Sequence, residues 1–217
     1  MGLVELMGRL NAADTPPGHV LAMVQVLDEM DAIYTPVMKK GQSESVRASE
    51  VAQRFGPQMP QMLQRYCRDQ IEFWARCKRA ALLHDWIEGM PVDVLEKRYS
   101  TTPFGGAIGY GNIIGIADAT RFHLRSAHQI LSTLFPDQPE FLKGLDDILQ
   151  RLEFGRPTAV LPLTKLSARL TRGQCLALLT VGARSAGELN GLDDNRLRDC
   201  VGAATAAVLR FKAKSVV

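Results

Sequence analysis

Apolar positions recur at helical spacing through nearly all of this chain, and nowhere do they alternate with period two for long enough to predict a strand. Pro16, Pro17 and Gly18 break the chain before an apolar-periodic segment running from His19 to about Tyr34. The polar stretch Lys39–Ser45 reads as a turn, and Ser45–Phe55 as a short helix. Pro57 and Pro60 then introduce a long helical pattern, Gln61–Glu88, carried by Leu63, Tyr66, Phe73, Trp74, Leu83 and Trp86. Gly89 stops it, and Pro91 sits at the first turn of a shorter helix ending near Arg98. A glycine-rich loop, Ser100–Gly111, leads into a helix that reaches Leu134. Pro136 and Pro139 separate that helix from the next, Glu140–Phe154. Past Gly155-Arg156-Pro157, read as a hinge, short helices are predicted at Leu163–Leu170, Arg172–Val181, Ala186–Leu189 and Asp193–Lys212. The predicted class is all-α: a helical bundle over residues 1–154, then a small helix–hairpin–helix-like domain over 155–217.

The segment Gly109–Leu134 is the most informative. At 3.6 residues per turn, Ile113, Ile116, Ala117, Thr120, Leu124, Ala127, Leu131 and Leu134 form one narrow apolar stripe. Phe122 falls nearly opposite, flanked by Gly115, Asp118, Arg125 and Gln129. An aromatic among polar side chains makes a stacking platform for a nucleobase. A helix packed on two sides would instead make Phe122 part of the core.

Composition narrows the function. Net charge is only +3, yet residues 151–217 carry eleven Lys and Arg against five Asp and Glu, whereas residues 1–150 carry fifteen against eighteen. A small basic module on a near-neutral larger one is the footprint of a nucleic-acid binder; a well-solvated tail is the alternative. The N-terminal residues lack a secretory signal and no run is long enough for a membrane span, so the expected setting is cytoplasmic, with no membrane partner. Cys67, Cys77, Cys175 and Cys200 form no CxxC pair, lie in helical patterns and are expected to be buried free thiols. His123 and His128 are five apart, off the one-face spacing of a helical zinc pair, and His19 and His84 stand alone; no metal site is expected.

Nor is catalytic machinery expected. The chain has no GxxxxGK[ST], GxSxG or HExxH. Gly109-Tyr110-Gly111 followed by Gly115 departs from the dinucleotide fingerprint by one residue and lacks a preceding strand. That loop retains the option of presenting N–H groups to a phosphate at the following helix N-terminus. Asp146-Asp147 and Asp193-Asp194 are adjacent in sequence and read as solvated or capping acids. In the basic module, Leu161–Leu189 has the cadence of a helix–hairpin–helix. Its turn, Ala168-Arg169-Leu170-Thr171, lacks the usual glycines, which shifts phosphate contact onto Lys165, Arg169 and Arg172. Leu197–Leu209, with Gly202 inside it, reads as a degenerate second half.

Three stretches resemble the C-terminal region of Ski2-like superfamily-2 helicases of the Hel308 type. They are His19–Pro36, with its Glu29-Met30 pair; Ala81–Tyr99, with Asp85-Trp86-Ile87, a glycine stop and a terminal Lys97-Arg98-Tyr99; and Gly111–Leu131, followed by the helix–hairpin–helix-like Leu149–Leu189. The resemblance implies a bundle enclosing a single strand beside two ATPase lobes, with Gly111–Leu131 as the ratchet helix. It places the family's stacking tryptophan at Phe122 and its basic strand contact at Gly115, with Arg125 or Arg121 standing in. Residues 1–15 would be the edge of a preceding winged helix. The lobes, with their ATP and Mg²⁺, are expected on an N-terminal part of the same polypeptide or complex, this chain holding no cofactor itself. The expected partner is single-stranded or branched nucleic acid, DNA favoured over RNA, contacted by Phe122, Arg125, Arg121, Gln129, Lys165, Arg169 and Arg172. The reading from a different class is an all-α protein–protein module that docks through the Phe122 face.

Overall fold

The structure, a computed structural model, describes residues 2–37, 45–101, 106–164, 166 and 170–216. Among these the protein is all-α, with no strand. The helices are α1 (Leu3–Gly8), α2 (Pro17–Met23), α3 (Asp28–Asp31), α4 (Ser45–Phe55), α5 (Met59–Gln64), α6 (Gln70–Ile87), α7 (Val92–Tyr99), α8 (Tyr110–Leu134), α9 (Pro139–Phe154), α10 (Leu161–Thr164), α11 (Arg172–Thr180), α12 (Ala186–Gly191), α13 (Asp194–Val201) and α14 (Ala203–Val216). The chain divides into two compact units: Met1–Trp86 with Met90–Glu153, and Ile87–Gly89 with Phe154–Val217. Most of the turn expected at Lys39–Ser45, and residues 102–105 of the glycine-rich loop, lie outside the described residues.

In the first unit α8 packs along α1, α2 and the 3-10 turn Val24–Val26. Leu21, Met30, Leu83, Trp86, Ile116 and Leu124 are buried in its core. Two expected long segments are broken. Between His19 and Tyr34, Leu27 is extended (ψ 141°), so the chain bends into α3 instead of continuing one helix. The segment Gln61–Glu88 splits into α5 and α6 across Arg65–Asp69, where Tyr66 takes a left-handed φ of 60°. The α5 end is satisfied from α6: buried Arg76 donates to the carbonyls of Leu63 (3.1 Å) and Arg65 (2.8 Å). Cys67 lies in this connection and is half-buried, as is Cys200, so the expectation of four buried helical thiols holds only for Cys77 and Cys175. All four thiols are free, and burial pushes Cys67 up to about 11 and Cys77 up to about 12.

Two carboxylates organise the interior. Asp31, its side chain 4% exposed, binds Arg76 (2.5 Å) and Arg79 (2.8 Å), both side chains 1% exposed. Arg79 continues to the Gln25 side chain (3.2 Å), which donates to Thr120 Oγ1 of α8 (3.1 Å). Asp85 accepts from the Tyr99 hydroxyl (2.7 Å) and pairs with Arg54 (2.8 Å), while Arg98 reaches Glu50 (2.7 Å). Trp86 Nε1 donates to the Leu152 carbonyl (3.1 Å). Within the Asp-Trp-Ile and Lys-Arg-Tyr signature, Asp85 with Arg98 and Tyr99 therefore ties α6 to α7, while Trp86 ties α6 to α9.

The second unit closes around Val160, Leu163, Cys175, Leu178, Leu189, Leu197 and Leu209. Helix α11 starts on Thr171, whose hydroxyl accepts from the Gln174 N–H. It ends through Gly182 (φ 81°), with the Ala183 N–H on the Leu178 carbonyl. Ser185 and Asp193 cap α12 and α13, so Asp193 is the capping acid expected. The single helix expected over Asp193–Lys212 is two, because Gly202 adopts φ 82° between α13 and α14. The helix predicted at Leu163–Leu170 begins earlier, at Leu161, and is described only to Thr164; Leu170 is not helical. At the expected hinge, Arg156 is buried and donates to the Leu170 carbonyl (2.7 Å).

Candidate nucleic-acid interface

Helix α8 presents two unlike faces. Ile113, Ile116, Ala117, Thr120, Leu124, Ala127 and Leu131 are buried, as their spacing predicts; Leu134, the last of that stripe, is 47% exposed because the helix ends there. The opposite face carries Gly111, Gly115, Asp118, Phe122, Arg125 and Gln129, all exposed. Phe122 is 67% exposed, which removes it from the core. Among the described residues its ring meets one aromatic neighbour, His123, in a T-shaped arrangement at 5.3 Å and 81°.

The cations of this face differ in availability. Arg121 is half-buried and committed to Asp118 (3.0 Å) and Glu153 (2.9 Å). Its guanidinium already holds two exposed carboxylates, which a strand phosphate would have to displace. Arg125, about one turn beyond Phe122, is exposed and has no ion-pair partner among the described residues. Gln129 follows at the next turn. A Cβ at Gly115 would meet nothing within 4 Å, so the track on the N-terminal side of Phe122 is bare.

The phosphate option at the α8 N-terminus is not supported. The Tyr110 N–H already donates to Glu96 Oε1 (2.7 Å), and the Gly109 N–H to Asn112 Oδ1 (3.0 Å). A carboxylate stands where a phosphate would, in the orientation the helix dipole favours.

In the second unit Lys165 and Arg169 lie outside the described residues. Arg172 is half-buried, and its Nε donates to the Gly155 carbonyl (2.5 Å), a structural tie that spends one of its donors. Arg184, Arg196 and Arg198 are exposed without ion-pair partners among the described residues. None of the three belongs to the turn at residues 168–171 on which the sequence argument for phosphate contact rests; the excess positive charge of residues 151–217 was the signal for them. A cleft of about 550 Å³ in the first unit, lined by Leu6, Met23, Phe55, Met59, Arg9 and Arg65 among others, includes no α8 residue. Among the described residues no three His, Cys, Asp or Glu side chains come together as a metal site requires, and no helix is long and apolar enough to cross a membrane.

Compared with known proteins, the chain matches no family model and no curated protein sequence.

Proposed function

We propose that this chain is the strand-guiding helical region of a Ski2-like, Hel308-type helicase, holding single-stranded nucleic acid against the exposed face of α8. The observation that carries the reading is Phe122, 67% exposed in the middle of the polar face of α8, with Arg125, which has no ion-pair partner among the described residues, a turn away. Base stacking on such a ring contributes about 1–3 kcal/mol per base, and a free guanidinium adds a salt-sensitive phosphate contact. The excess positive charge of residues 151–217 supports a second grip by the terminal helix–hairpin–helix-like module. ATP and Mg²⁺ belong to ATPase lobes joined in the same polypeptide or complex, and DNA is favoured over RNA. Four free thiols suit a reducing, cytosolic setting.

The test is fluorescence anisotropy of a labelled oligothymidine with the purified chain. Phe122→Ala is expected to weaken binding by about tenfold, Phe122→Trp to retain it, and Arg125→Ala to reduce the log–log salt slope by about 0.7. Absence of binding by the wild-type chain, or unchanged affinity in Phe122→Ala, rules the proposal out.

A further inference from the structure

Helix α14 is apolar on two sides. Ala206, Leu209 and Ala213 face the core of the second unit, where α14 packs on α12 and α13. On the opposite side Ala204, Ala207, Val208 and Phe211 are all exposed, at the i, i+3, i+4, i+7 spacing of a helix-pairing seam. Phe211 is 76% exposed and Val208 46%. That is more than solvation of a terminal helix requires, and the two alanines leave room for a second backbone to approach.

The borders of the seam are cationic. Lys212 flanks Phe211 on one side and Lys214 on the other, about 100° and 60° around the helix. Neither has an ion-pair partner among the described residues, and α14 contains no Asp or Glu. The third cation, Arg210, is turned inward onto Asp194 (2.8 Å) and the carbonyls of Leu189 and Leu192.

We propose that this face docks an acidic amphipathic helix of a partner protein, its apolar stripe on Phe211 and Val208 and its carboxylates on Lys212 and Lys214. Charge selects this occupant. A second copy of α14 brings no carboxylate of its own to the lysines. Single-stranded nucleic acid would use the Phe211 ring but leaves the aliphatic residues Ala204, Ala207 and Val208 without a stacking partner. The site lies on the second unit and does not depend on the function proposed for α8.

The probe is a fluorescein-labelled synthetic helix with leucines at i, i+3, i+4 and i+7 bordered by glutamates, titrated with the full chain. Its counterpart with lysines for the glutamates, and an oligothymidine, serve as competitors. Saturable binding of the glutamate helix is expected, weakened by roughly tenfold in Phe211→Ala. Preference is expected to invert towards the lysine helix in the double variant Lys212→Glu, Lys214→Glu. Phe211 and Lys214 are exposed and Lys212 half-buried, and an unchanged melting temperature verifies that each variant is folded. The proposal is overturned if the wild-type chain does not bind the glutamate helix, if the two helices bind alike, or if Phe211→Ala binds as the wild type does. Displacement of the glutamate helix by oligothymidine at this face, lost in Phe211→Ala but kept in Phe122→Ala, would identify the seam as a nucleic-acid contact and also overturn it.

Discussion

Asp31→Asn tests what holds the first unit together. The carboxylate faces two guanidiniums at once, with four oxygen–nitrogen contacts between 2.5 and 3.1 Å, and all three side chains are at most 4% exposed. An asparagine keeps one acceptor, turns an NH₂ towards a guanidinium, and removes the negative charge that both buried guanidiniums contact. Breaking a buried ion pair by deleting one partner costs about 3–5 kcal/mol. Arg76 retains the Leu63 and Arg65 carbonyls and Arg79 retains Gln25, which offsets part of the loss. A value of about 4 kcal/mol follows, a large share of the roughly 5–15 kcal/mol of a whole domain. At about 2–4 °C per kcal/mol, the melting temperature falls by roughly 8–16 °C. Both tryptophans, Trp74 and Trp86, belong to the first unit, so their fluorescence through a urea titration reports that unit alone. A loss below about 1 kcal/mol, the worth of an exposed bridge, refutes the assignment of Asp31 as the anchor.

Leu124→Ala, at a position 1% exposed, is expected to cost about 2–5 kcal/mol by thermal melting, whereas Phe122→Ala costs under about 1 kcal/mol. Equal losses would place both side chains in the core. Two mid-helix glycines respond oppositely to alanine. Gly115→Ala fills open space and stabilises by about 0.5–1 kcal/mol. Gly144→Ala puts a Cβ 2.5 Å from the Pro17 ring and destabilises by about 1–3 kcal/mol. At Asp85 and Glu50, burial opposes ionisation but is outweighed, at Asp85 by the His84 ring 3.7 Å away, the Tyr99 hydroxyl and the Arg54 and Arg98 guanidiniums, and at Glu50 by Arg47 and Arg98; both pKa values are lowered. Their stabilisation is complete above the unfolded carboxylate pKa of about 4 and is lost as pH falls through the lower native values. Urea midpoints measured from pH 7 to 3 should fall at the acid end, less steeply in Asp85→Asn, and a midpoint that rises on acidification contradicts this.

What the sequence made legible follows from periodicity. The α8 stripe and the solvent position of Phe122 could be read because a long helix samples every azimuth several times, so the apolar face is over-determined. The breaks at Leu27 and Arg65–Asp69 could not, since apolar residues continue through both at helical spacing. Polar groups from further along the chain take carbonyls at both breaks: Arg79 that of Gln25, and Arg76, 13 and 11 positions beyond, those of Leu63 and Arg65. The commitments of Arg121 to Glu153 and of Glu96 to the α8 N-terminus are long-range in the same way. A cation or a glycine loop looks available in one dimension until its partner is located in three. Gly202 was visible as a residue, but only its positive φ turns one predicted helix into two.

The hydrogen bond from Gln25 to Thr120 bears on the direction in which Phe122 points. An apolar stripe resists roll about the helix axis only weakly, because Ile, Leu and Ala exchange neighbours at little cost. A directional bond does not. Thr120 lies two residues before Phe122, about 200° around the axis, and Gln25 is itself held by Arg79 and by the Leu21 carbonyl. The buried amide thus acts as an index pin that sets the roll of α8 from inside, and the ring on the far side is aimed by a residue it never touches.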